Sequence, residues 1–504
     1  MTRVSLNIPL NRVEGDLDIK VVLENNQIVD AKSIGTLYRG FENMLTGRDP
    51  MDALVITPRI CGICSITHLT AAVKAIESAA NITPPAQAVR MRNLSLLAET
   101  VQSDLRQVFL MFLSDFAQPY YKDYDFYPKA VELYAPLTGK GAIEVLRKSK
   151  DIVKVIAIIG GQWLHTSHMV PGGICTIPSI IDMTLVANHI NNVLEWFESE
   201  VLGCSIEHFE NEVTTADKLN HHVTQFSTTH LANFKQMCEQ SGLTEIGRSY
   251  PNFISYGVVD DPEKPSQSII PAGVAIDGCD VEALALDKVG EDLSHSWYQY
   301  KEVVQSPFGG TTKPDIDAPN GYTWAKAPRY AGMPMQTGPI AQAIVNQDPL
   351  LIDLFNQQGD SAYVRELARL LRPIKHLKHL RQQSTECLNN FGDTTYQQPT
   401  ELDTGNGIGI TEAARGALGH WLEMKHGEIT NYQIVTPTAW NASPLDSNAQ
   451  HGPWEKAILG LKIKDINNPM EMGHVIRSFD PCLVCTVHAS GDIDQVEKWQ
   501  FGVF

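Results

Sequence analysis

Two pairs of cysteines have the residue type and the spacing best suited to metal chemistry. Cys61 and Cys64 lie just before an apolar helical stretch, and Cys482 and Cys485 lie near the other end of the chain. Thiolates at C-x-x-C spacing are soft ligands that can bind one transition metal together. We therefore predict that the two pairs form the two halves of one shared, redox-active metal site.

A structural zinc site and a thioredoxin-like redox pair are the alternatives at this point. Zinc also binds C-x-x-C pairs, but zinc ribbons usually join their pairs across roughly 15 to 20 residues. Here residues 65–481 separate the two pairs, so zinc is the leading alternative rather than the first choice. A thioredoxin-like motif is weaker still, because neither pair follows the strand of a βα unit.

The other cysteines stand alone in the sequence. A total of nine is odd, which argues against a disulfide framework in a chain of this length. We interpret the isolated residues as buried thiols; they are Cys175, Cys204, Cys238, Cys279 and Cys387. They do not group into a motif that could hold an iron-sulfur cluster.

The composition is that of a folded globular protein with an acidic balance. Of the 504 residues, 43% are apolar and 19% are charged, and the formal net charge is −18. Without a polybasic run, such a chain is a poor partner for nucleic acid or for an anionic membrane. We see no secretory leader pattern and no apolar run of about 18 residues. We therefore predict no direct membrane span and a cytoplasmic location, with membrane association only through partner subunits.

Apolar periodicity predicts one small sheet and three long helical segments. Alternation from Val4 to Leu37 is typical of an antiparallel sheet. Helical spacing runs from Pro84 to about Phe116, from about Ile180 to Val201, and from Ser361 to Asn390. Pro373 should kink or break the third of these helices.

Segments rich in glycine and proline, Val170 to Pro178 and Ser306 to Pro339, are predicted to be ordered loops. The sequence contains no repeat, low-complexity tract or flexible linker that would separate the two cysteine pairs. We therefore predict an α+β fold, mainly α, as a single large intertwined domain with a long-helix core and small peripheral β-sheets.

Two motifs together resemble the signatures of nickel-iron hydrogenase large subunits. The first is R-x-C-G-x-C-x-x-x-H from Arg59 to His68, and the second is D-P-C-x-x-C-x-x-H from Asp480 to His488. Further matches occur along almost the whole chain, at R-V-E-G (12–15), R-G-F-E (39–42), K-A-P-R-Y (326–330), A-R-G-A-L-G-H-W (414–421) and P-T-A-W-N-A-S-P (437–444). The resemblance implies a catalytic subunit that interconverts H2 with protons and electrons, in the uptake direction.

The resemblance also implies a role for each cysteine. All four would bind nickel, and Cys64 and Cys485 would in addition bridge to an iron that carries carbon monoxide and two cyanides. Cys61 and Cys482 would be terminal nickel ligands. Soft thiolates suit a metal that changes oxidation state, a role that redox-inert zinc cannot fill.

Four more residues match positions around the metals in this family. Arg415 and Thr438 match hydrogen-bond donors to the cyanides, Leu418 matches an apolar position near the iron carbonyl, and His68 matches a cofactor-binding position. Outside such motifs an arginine is usually part of a surface ion pair and a leucine is usually core. The motifs alone support these assignments.

Heterolytic cleavage of H2 releases a proton that needs a base and an exit route. The resemblance implies Cys482 as the first acceptor and Glu14 as the next, with Arg415 as an alternative first base. Asp115 and Asp480 match carboxylates above the open metal position.

A second metal and a processing step are also implied. Glu42, the backbone carbonyl of Ile434 and the side chain of His488 match a magnesium site. His488 is followed by residues 489–504, which resemble an extension that a maturation endopeptidase removes once metal-insertion factors have acted. These matches imply a large-subunit domain of residues 1–488 and a removable tail.

Some residues depart from the family pattern and point to a subgroup. Ala414 and Gln336 replace a proline and a glutamate that are common in relatives, and the helix before Asp115 lacks the histidines of the membrane-bound uptake type. The chain thus resembles the cytoplasmic, cyanobacterial-like uptake branch.

Because spare cysteine clusters are missing from the sequence, we expect electrons to pass to a small subunit that holds iron-sulfur clusters.

Two functional alternatives follow from the same resemblance. A hydrogen-sensing regulatory subunit would keep the metal ligands and turn over slowly. A structural relative similar to the quinone-site subunit of respiratory complex I would lack the metal thiolates, so the four cysteines argue against it.

Overall fold

The computed structural model describes residues 3–9, 17–398 and 402–482. Its first element is an antiparallel sheet in the order β1 (Arg3–Pro9), β2 (Leu17–Glu24) and β3 (Gln27–Gly35). Asn25 and Asn26 make the tight turn between β2 and β3 at positive φ angles of 50° and 62°, which asparagine tolerates better than most residues. The sheet predicted from the alternating pattern is confirmed.

Short strands and longer helices make up the rest of the described chain. The remaining strands are β4 (Met169–Val170), β5 (Gly173–Ile174), β6 (Phe253–Ser255), β7 (Val258–Asp261), β8 (Lys264–Ile270), β9 (Gly273–Ala275), β10 (Val281–Glu282), β11 (Val289–Asp292), β12 (Val304–Gln305), β13 (Ala327–Tyr330), β14 (Gly405–Ala413), β15 (Gly416–Lys425) and β16 (Glu428–Val435). The helices are α1 (Phe41–Leu45), α2 (Ala53–Ile56), α3 (Ser65–Ala80), α4 (Ala86–Arg106), α5 (Tyr127–Tyr134), α6 (Lys140–Gly160), α7 (Ile180–Trp196), α8 (Ile206–Glu212), α9 (Ala216–Gln225), α10 (His230–Ser241), α11 (Pro339–Val345), α12 (Pro349–Gln358), α13 (Ala362–Leu371), α14 (Pro373–Asn389), α15 (Pro437–Asn441), α16 (Pro453–Ile458) and α17 (Met470–Arg477). The predicted α+β class is confirmed.

The long helices occur where periodicity predicts them, but two of them end differently. After α4 the chain continues as a π-helical turn, Gln107–Phe112, and a 3₁₀ turn, Leu113–Ala117. After α7 it continues as another π-helical turn, Phe197–Leu202. A wider or tighter turn changes the hydrogen-bond pattern without interrupting the apolar face, so the apolar spacing does not reveal it.

The break at Pro373 is confirmed. Helix α13 ends at Leu371 and α14 begins at Pro373, while Arg372 between them keeps right-handed helical angles. A proline lacks the N–H needed for the next helical hydrogen bond, and its fixed φ suits the first position of a new helix.

The two predicted loops are partly wrong. The segment Ser306 to Pro339 contains β13, which pairs with β11, and the segment Val170 to Pro178 contains β5. Strand β13 is buried along its whole length, so it lacks the alternation by which a half-exposed strand is recognised.

Helix α3 lies directly on the sheet β14-β15-β16 because glycines of β14 face it. A Cβ added at Gly409 would lie 1.8 Å from the carbonyl oxygen of Ala71, and one added at Gly407 would lie 2.0 Å from that of Ala75. Only glycine permits so close an approach of two backbones. The contact fixes where the N-terminus of α3, with Cys64, is placed.

The two ends of the described chain pack against each other. Ile19 and Val21 of the first sheet share one buried apolar cluster with Trp454, Val475 and Phe479. This packing brings residue 482 back to the early helices, although most of the sequence separates them. Within the described ranges, none of the helices combines the length and apolarity that a membrane span requires.

Candidate metal centre

Three cysteines from the two remote motifs meet in the interior. The sulfur atoms of Cys61, Cys64 and Cys482 all lie within 4.8 Å of one another, and all three residues are buried. The Sγ atoms of Cys61 and Cys482 are 3.4 Å apart, too far for a disulfide bond of about 2 Å. The structure therefore brings the two predicted half-sites together; Cys485 lies outside the described residues.

Local backbone geometry presents the first pair of thiols. Cys61 ends the 3₁₀ turn Thr57–Ile60, and Cys64 is the N-cap residue of α3. The partial positive charge at a helix N-terminus stabilises a thiolate there. Arg39 donates a hydrogen bond to the carbonyl oxygen of Ile60 and so anchors the turn that leads into Cys61.

Glu99 on α4 holds the first turn of α3, a role that the sequence did not reveal. Its carboxylate accepts hydrogen bonds from the N–H of Ile66 (2.8 Å), the N–H of Thr67 (2.9 Å) and the hydroxyl of Thr67 (2.7 Å). These backbone N–H groups have no partner within the helix. Burial raises the pKa of Glu99 to about 7 against the opposing effect of these bonds.

Cys482 is positioned by Thr438. The backbone N–H of Cys482 donates to Oγ1 of Thr438 over 3.2 Å, and both residues are buried. A hydroxyl that accepts one hydrogen bond still has a proton to donate. Leu418, on β15, belongs to the same buried apolar cluster as Cys61 and Cys482. The structure thus places Thr438 against one predicted ligand and Leu418 in the large apolar core to which the thiols also belong.

Arg415 is a buried cation beside the thiols. Its Nη2 donates to Oδ1 of Asp480 over 3.1 Å, while its Nε and Nη1 have no hydrogen-bond partner in the described part of the chain. Burial alone would lower the pKa of Arg415, but Asp480 and the neighbouring Cys482, Cys61 and Cys64 raise it well above its ordinary value. That direction favours a charged donor over a proton acceptor.

Asp115 forms a second buried ion pair. Its Oδ2 accepts from Nη1 of Arg477 over 2.6 Å and lies 3.8 Å from Nδ1 of His474. Asp115 is in the 3₁₀ turn that follows α4, and Arg477 ends α17. Asp480 follows Arg477 by three residues, so Asp115 is bonded to the same C-terminal segment that carries Asp480 and Cys482.

His68, one turn along α3 from Cys64, is part of a buried chain of polar rings. Its Nδ1 lies 3.1 Å from Nε2 of His420, and Nδ1 of His420 lies 2.8 Å from the hydroxyl of Tyr432. The sequence placed His68 at the site, but it assigned no role to His420 or Tyr432.

The predicted magnesium site contains a buried lysine. Glu42 accepts a hydrogen bond from the N–H of Ile434 (2.9 Å) and another from the hydroxyl of Thr312, and its Oε2 lies 3.3 Å from Nζ of Lys326. Lys326 also lies 3.2 Å from Oε2 of Glu291. Among the described residues, the Lys326 ammonium is the cation at these carboxylates.

Three predicted site residues lie outside the described ranges. They are Glu14, Cys485 and His488, together with the tail 489–504.

The prediction that the isolated cysteines are buried thiols is partly wrong. Cys238 and Cys387 are buried, but Cys175 is exposed and Cys204 and Cys279 are half-buried. Cys175 lies in the loop after β5, where its Sγ contacts a backbone oxygen at the surface. Residue type alone does not fix burial for such connecting segments.

Comparison with known proteins decides the family. The profile of a family described as nickel-dependent hydrogenase matches residues 39–117 and 110–488.

The chain belongs to the nickel-dependent hydrogenase family.

Several hydrogenases are similar to this chain over nearly its whole length. The large subunit of the periplasmic [NiFeSe] hydrogenase of Desulfomicrobium baculatum is 31% identical over an alignment 525 residues long. That alignment covers 96% of this chain and 95% of that protein. The uptake hydrogenase large subunit of Rhodobacter capsulatus is 29% identical and covers 95% of this chain and 94% of its own length. Among solved structures, the Ni-Fe-Se hydrogenase of D. vulgaris Hildenborough in the reduced state has a TM-score of 0.82 at 28% identity, and the match covers 97% of this chain and 100% of that chain.

This hydrogenase is a catalytic large subunit, as predicted, and the zinc scaffold and the sensing subunit are not favoured. The relatives named here include a periplasmic enzyme and an uptake enzyme. They leave the subgroup and the cytoplasmic location as predictions.

One departure from the family pattern has a local explanation in this hydrogenase. The Nε2 of Gln336 donates to Oδ2 of Asp360 over 2.7 Å, and both side chains are buried. A glutamate at this position would place a second carboxylate against Asp360, and buried like charges repel.

Proposed function

We propose that Cys61, Cys64, Cys482 and Cys485 hold a nickel-iron centre. All four thiolates would bind nickel, and Cys64 and Cys485 would also bind an iron whose other ligands are carbon monoxide and two cyanides. The observation that carries this proposal is the meeting of three buried thiols from two remote motifs within 4.8 Å. Such a centre supplies the redox chemistry that splits H2 into protons and electrons.

The surrounding side chains fit anionic diatomic ligands. Two donors of Arg415, Nε and Nη1, have no partner among the described residues, and the buried Thr438 hydroxyl, which accepts from Cys482, can still donate its own proton. Charge-assisted bonds from a guanidinium are strong and directional where water is excluded. Leu418 lies in the same large apolar core as Cys61 and Cys482. We therefore assign cyanide binding to Arg415 and Thr438 and the carbonyl side to Leu418.

The protons leave through side chains of this chain. We assign the first acceptor to the Cys482 sulfur and the next to the Glu14 carboxylate. Cys482 is fully buried, so a proton held there needs a relay to reach water. Asp480 accepts a hydrogen bond from Arg415, which lies beside Cys482, and Asp115 is a second buried carboxylate, bonded to Arg477.

The electrons leave through a partner. Apart from Cys61, Cys64 and Cys482, the described residues contain no group of three or more potential metal ligands close enough to hold an ion. We propose that a small subunit with iron-sulfur clusters accepts the electrons and that the net direction is H2 uptake. The name of the Rhodobacter capsulatus relative, an uptake hydrogenase large subunit, supports the uptake direction and the presence of a second subunit.

We keep the magnesium site and the cytoplasmic location as parts of the proposal. The Glu42 carboxylate supplies the hard oxygen ligands that magnesium prefers, and a bound magnesium ion would compete with the Lys326 ammonium for this carboxylate.

Cell fractionation against periplasmic and membrane marker enzymes tests the location and the cytoplasmic uptake assignment.

Metal analysis combined with infrared spectroscopy tests the centre. We expect the purified complex to contain nickel, iron and magnesium and to show bands of iron-bound carbonyl and cyanide. Cys482→Ser should lose nickel and H2 oxidation with an artificial acceptor, because one ligand is gone. Cys238→Ser, a change at an equally buried but isolated cysteine, is the matched control and should keep both. Zinc in place of nickel would refute the proposed nickel-iron centre. Nickel without magnesium would refute only the proposed magnesium site.

A further inference from the structure

Two guanidinium groups face one buried carboxylate near the cysteine cluster. Oδ1 of Asp480 accepts a hydrogen bond from Nη2 of Arg415 over 3.1 Å, and Oδ2 of Asp480 lies 3.9 Å from Nε of Arg369. The side chains of Arg415, Asp480 and Arg369 are 6%, 4% and 1% exposed, so water screens their charges only weakly. The mechanism above uses Arg415 and Asp480 but gives Arg369 no role.

Helix α13 holds Arg369 against the segment that leads to Cys482. Nη1 of Arg369 donates to the backbone carbonyl of Ser478 over 3.0 Å and to Oε2 of Glu366 over 3.0 Å. Glu366 lies about one turn earlier on the same helix, and its side chain is fully buried. These two bonds anchor the guanidinium of Arg369, with Nε on the side of the Asp480 carboxylate.

The backbone of Asp480 also has an uncommon conformation. Its φ angle is 55°, in the left-handed region that few residues other than glycine adopt, although aspartate tolerates it better than most. The N–H of Asp480 donates to the carbonyl oxygen of Arg477 over 2.9 Å. Such a conformation persists where the surrounding contacts determine it. Here Arg369 and Arg415 hold the side chain of this residue from two sides.

The position of Oδ2 decides how Arg415 can bond. An arginine and a carboxylate favour a bidentate pair, in which two N–H groups bond to the two oxygens. Arg415 bonds to Asp480 through Nη2 alone. Oδ2 of Asp480, which a bidentate pair would need, lies on the side of Arg369 and has no hydrogen-bond partner in the described chain. The attraction of a second cation therefore competes with a second bond from Arg415.

We propose that Arg369 is a positioning residue that keeps Oδ2 of Asp480 turned towards α13. Arg415 then bonds to Asp480 through one nitrogen only, and its Nε and Nη1 stay available for an anionic ligand of the metal centre. The inference rests on the proposed function, because that ligand is a cyanide of the proposed nickel-iron centre. Arg369 acts on the centre through Asp480 and Arg415.

Arg365 offers a matched comparison on the same helix. Its Nε donates to the hydroxyl of Ser478 over 3.0 Å, and its guanidinium lies 3.9 Å from the centre of the Phe479 ring. The side chain of Arg365 is 3% exposed, and its ion pair is with Asp360, at 3.2 Å. Arg365 therefore holds the same segment as Arg369 through contacts that do not involve the Asp480 carboxylate.

Crystal structures of the full-length chain, purified from nickel-free medium, show the bonding of Arg415 directly. In Arg369→Met we expect the Asp480 carboxylate to turn and Arg415 to bond to both of its oxygens. Arg365→Met should keep the single bond of the wild type, and Arg369→Lys should restore it, because lysine again places a cation near Oδ2. A single bond in Arg369→Met would overturn the proposal.

A second variant guards against poor folding, since Arg369→Met leaves Glu366 buried without its cation. The double variant Glu366→Gln/Arg369→Met removes both charges of this pair. We expect it to show the same two bonds between Arg415 and Asp480, and a single bond there would equally contradict the proposal.

Infrared spectra and turnover of the metal-loaded complex are the next readouts. We expect Arg369→Met to retain nickel, to shift the cyanide bands and to lower H2 oxidation roughly 10- to 100-fold. Arg365→Met should lower the thermal stability of the complex but leave the cyanide bands in place. Equal band shifts in the two variants would show that α13 acts only by holding the segment, and the specific role of Arg369 would be wrong.

A double-mutant cycle separates action through Arg415 from any other effect. If Arg369 acts through Arg415, Arg369→Met should cause no further loss of turnover in an Arg415→Lys background. Losses that multiply would contradict the proposal. The crystal structures are obtained without metal, so a complex that lacks nickel would refute the proposed function and leave the inferred bonding of Arg415 to be judged separately.

Discussion

At the scale of single residues, the Arg415 guanidinium has an acceptor for only part of its set of hydrogen-bond donors. Asp480 accepts from Nη2, while Nε and Nη1 remain without partners in the described chain. A buried cation is costly unless its donors are satisfied. This supports our proposal that the two donors without partners bind an anionic ligand of the metal centre.

Arg415→Lys tests this reading because lysine keeps the charge but loses the planar fork. An ammonium group cannot donate to Asp480 and to a diatomic ligand in the same geometry. We expect turnover to fall roughly 10- to 100-fold while nickel is retained. Assays of H2 oxidation together with nickel content measure both effects.

The matched control is Arg381→Lys, the same exchange in a surface ion pair with Glu207. Its side chain is 42% exposed, so we expect no change in turnover. If Arg415→Lys kept wild-type turnover, the fork would not be needed and the assigned role would be wrong.

The residues found from the sequence and those found from the structure differ in kind. Cys61, Arg415 and Thr438 lie inside short motifs that can be recognised from consecutive residues. Glu99 bonds to residues more than 30 positions earlier in the sequence, so no local spacing marks it. His420 lies inside a matched motif, yet its contact with His68 of α3 is one that only the fold supplies.

At the scale of elements, the first turn of α3 depends on one carboxylate from α4. Glu99→Gln would replace one acceptor oxygen by an amide that donates, so at least one N–H of Ile66 or Thr67 would lose its partner. We expect the turn to lose about 1–3 kcal/mol of stability, which corresponds to roughly 5- to 150-fold faster local hydrogen exchange.

Hydrogen exchange read by mass spectrometry on peptides spanning residues 61–70 measures this change. Glu132→Gln, at an exposed ion pair with Lys129 and Lys140, is the control and should leave those peptides unaffected. Unaltered exchange in Glu99→Gln would show that the carboxylate does not hold the turn.

Periodicity predicted the long helices because one buried face repeats every three to four residues. It did not predict the π-helical turn Gln107–Phe112, which preserves that face. The packing of α3 on β14 was missed as well. The sequence does contain a matching pattern: alternate glycines, Gly407 and Gly409, contact alanines spaced four residues apart, Ala75 and Ala71. This pattern can be interpreted only once the strand and the helix are known to pack together.

At the scale of the whole molecule, the metal centre depends on the chain returning to its beginning. The shared cluster of the first sheet with residues near 454–479 brings Cys482 to Cys61. The sequence predicted a shared site from ligand chemistry and resemblance. It could not supply the distance, because closure across residues 65–481 is a property of tertiary packing.

The same closure bears on the tail that follows His488. We propose that residues 489–504 are removed by an endopeptidase after metal insertion, and the family match, which ends at residue 488, supports this boundary. The three described thiols are buried, so we propose that metal is inserted before the chain is cleaved.

Intact-mass measurement of the purified large subunit tests the processing. From cells grown with nickel we expect a chain that ends at His488. From nickel-depleted cells we expect the full 504 residues, because cleavage follows loading. Cys482→Ser, which cannot complete the centre, should stay unprocessed even with nickel, whereas Cys238→Ser should be processed normally. A fully active enzyme that retains residues 489–504 would show that closure does not require removal of the tail.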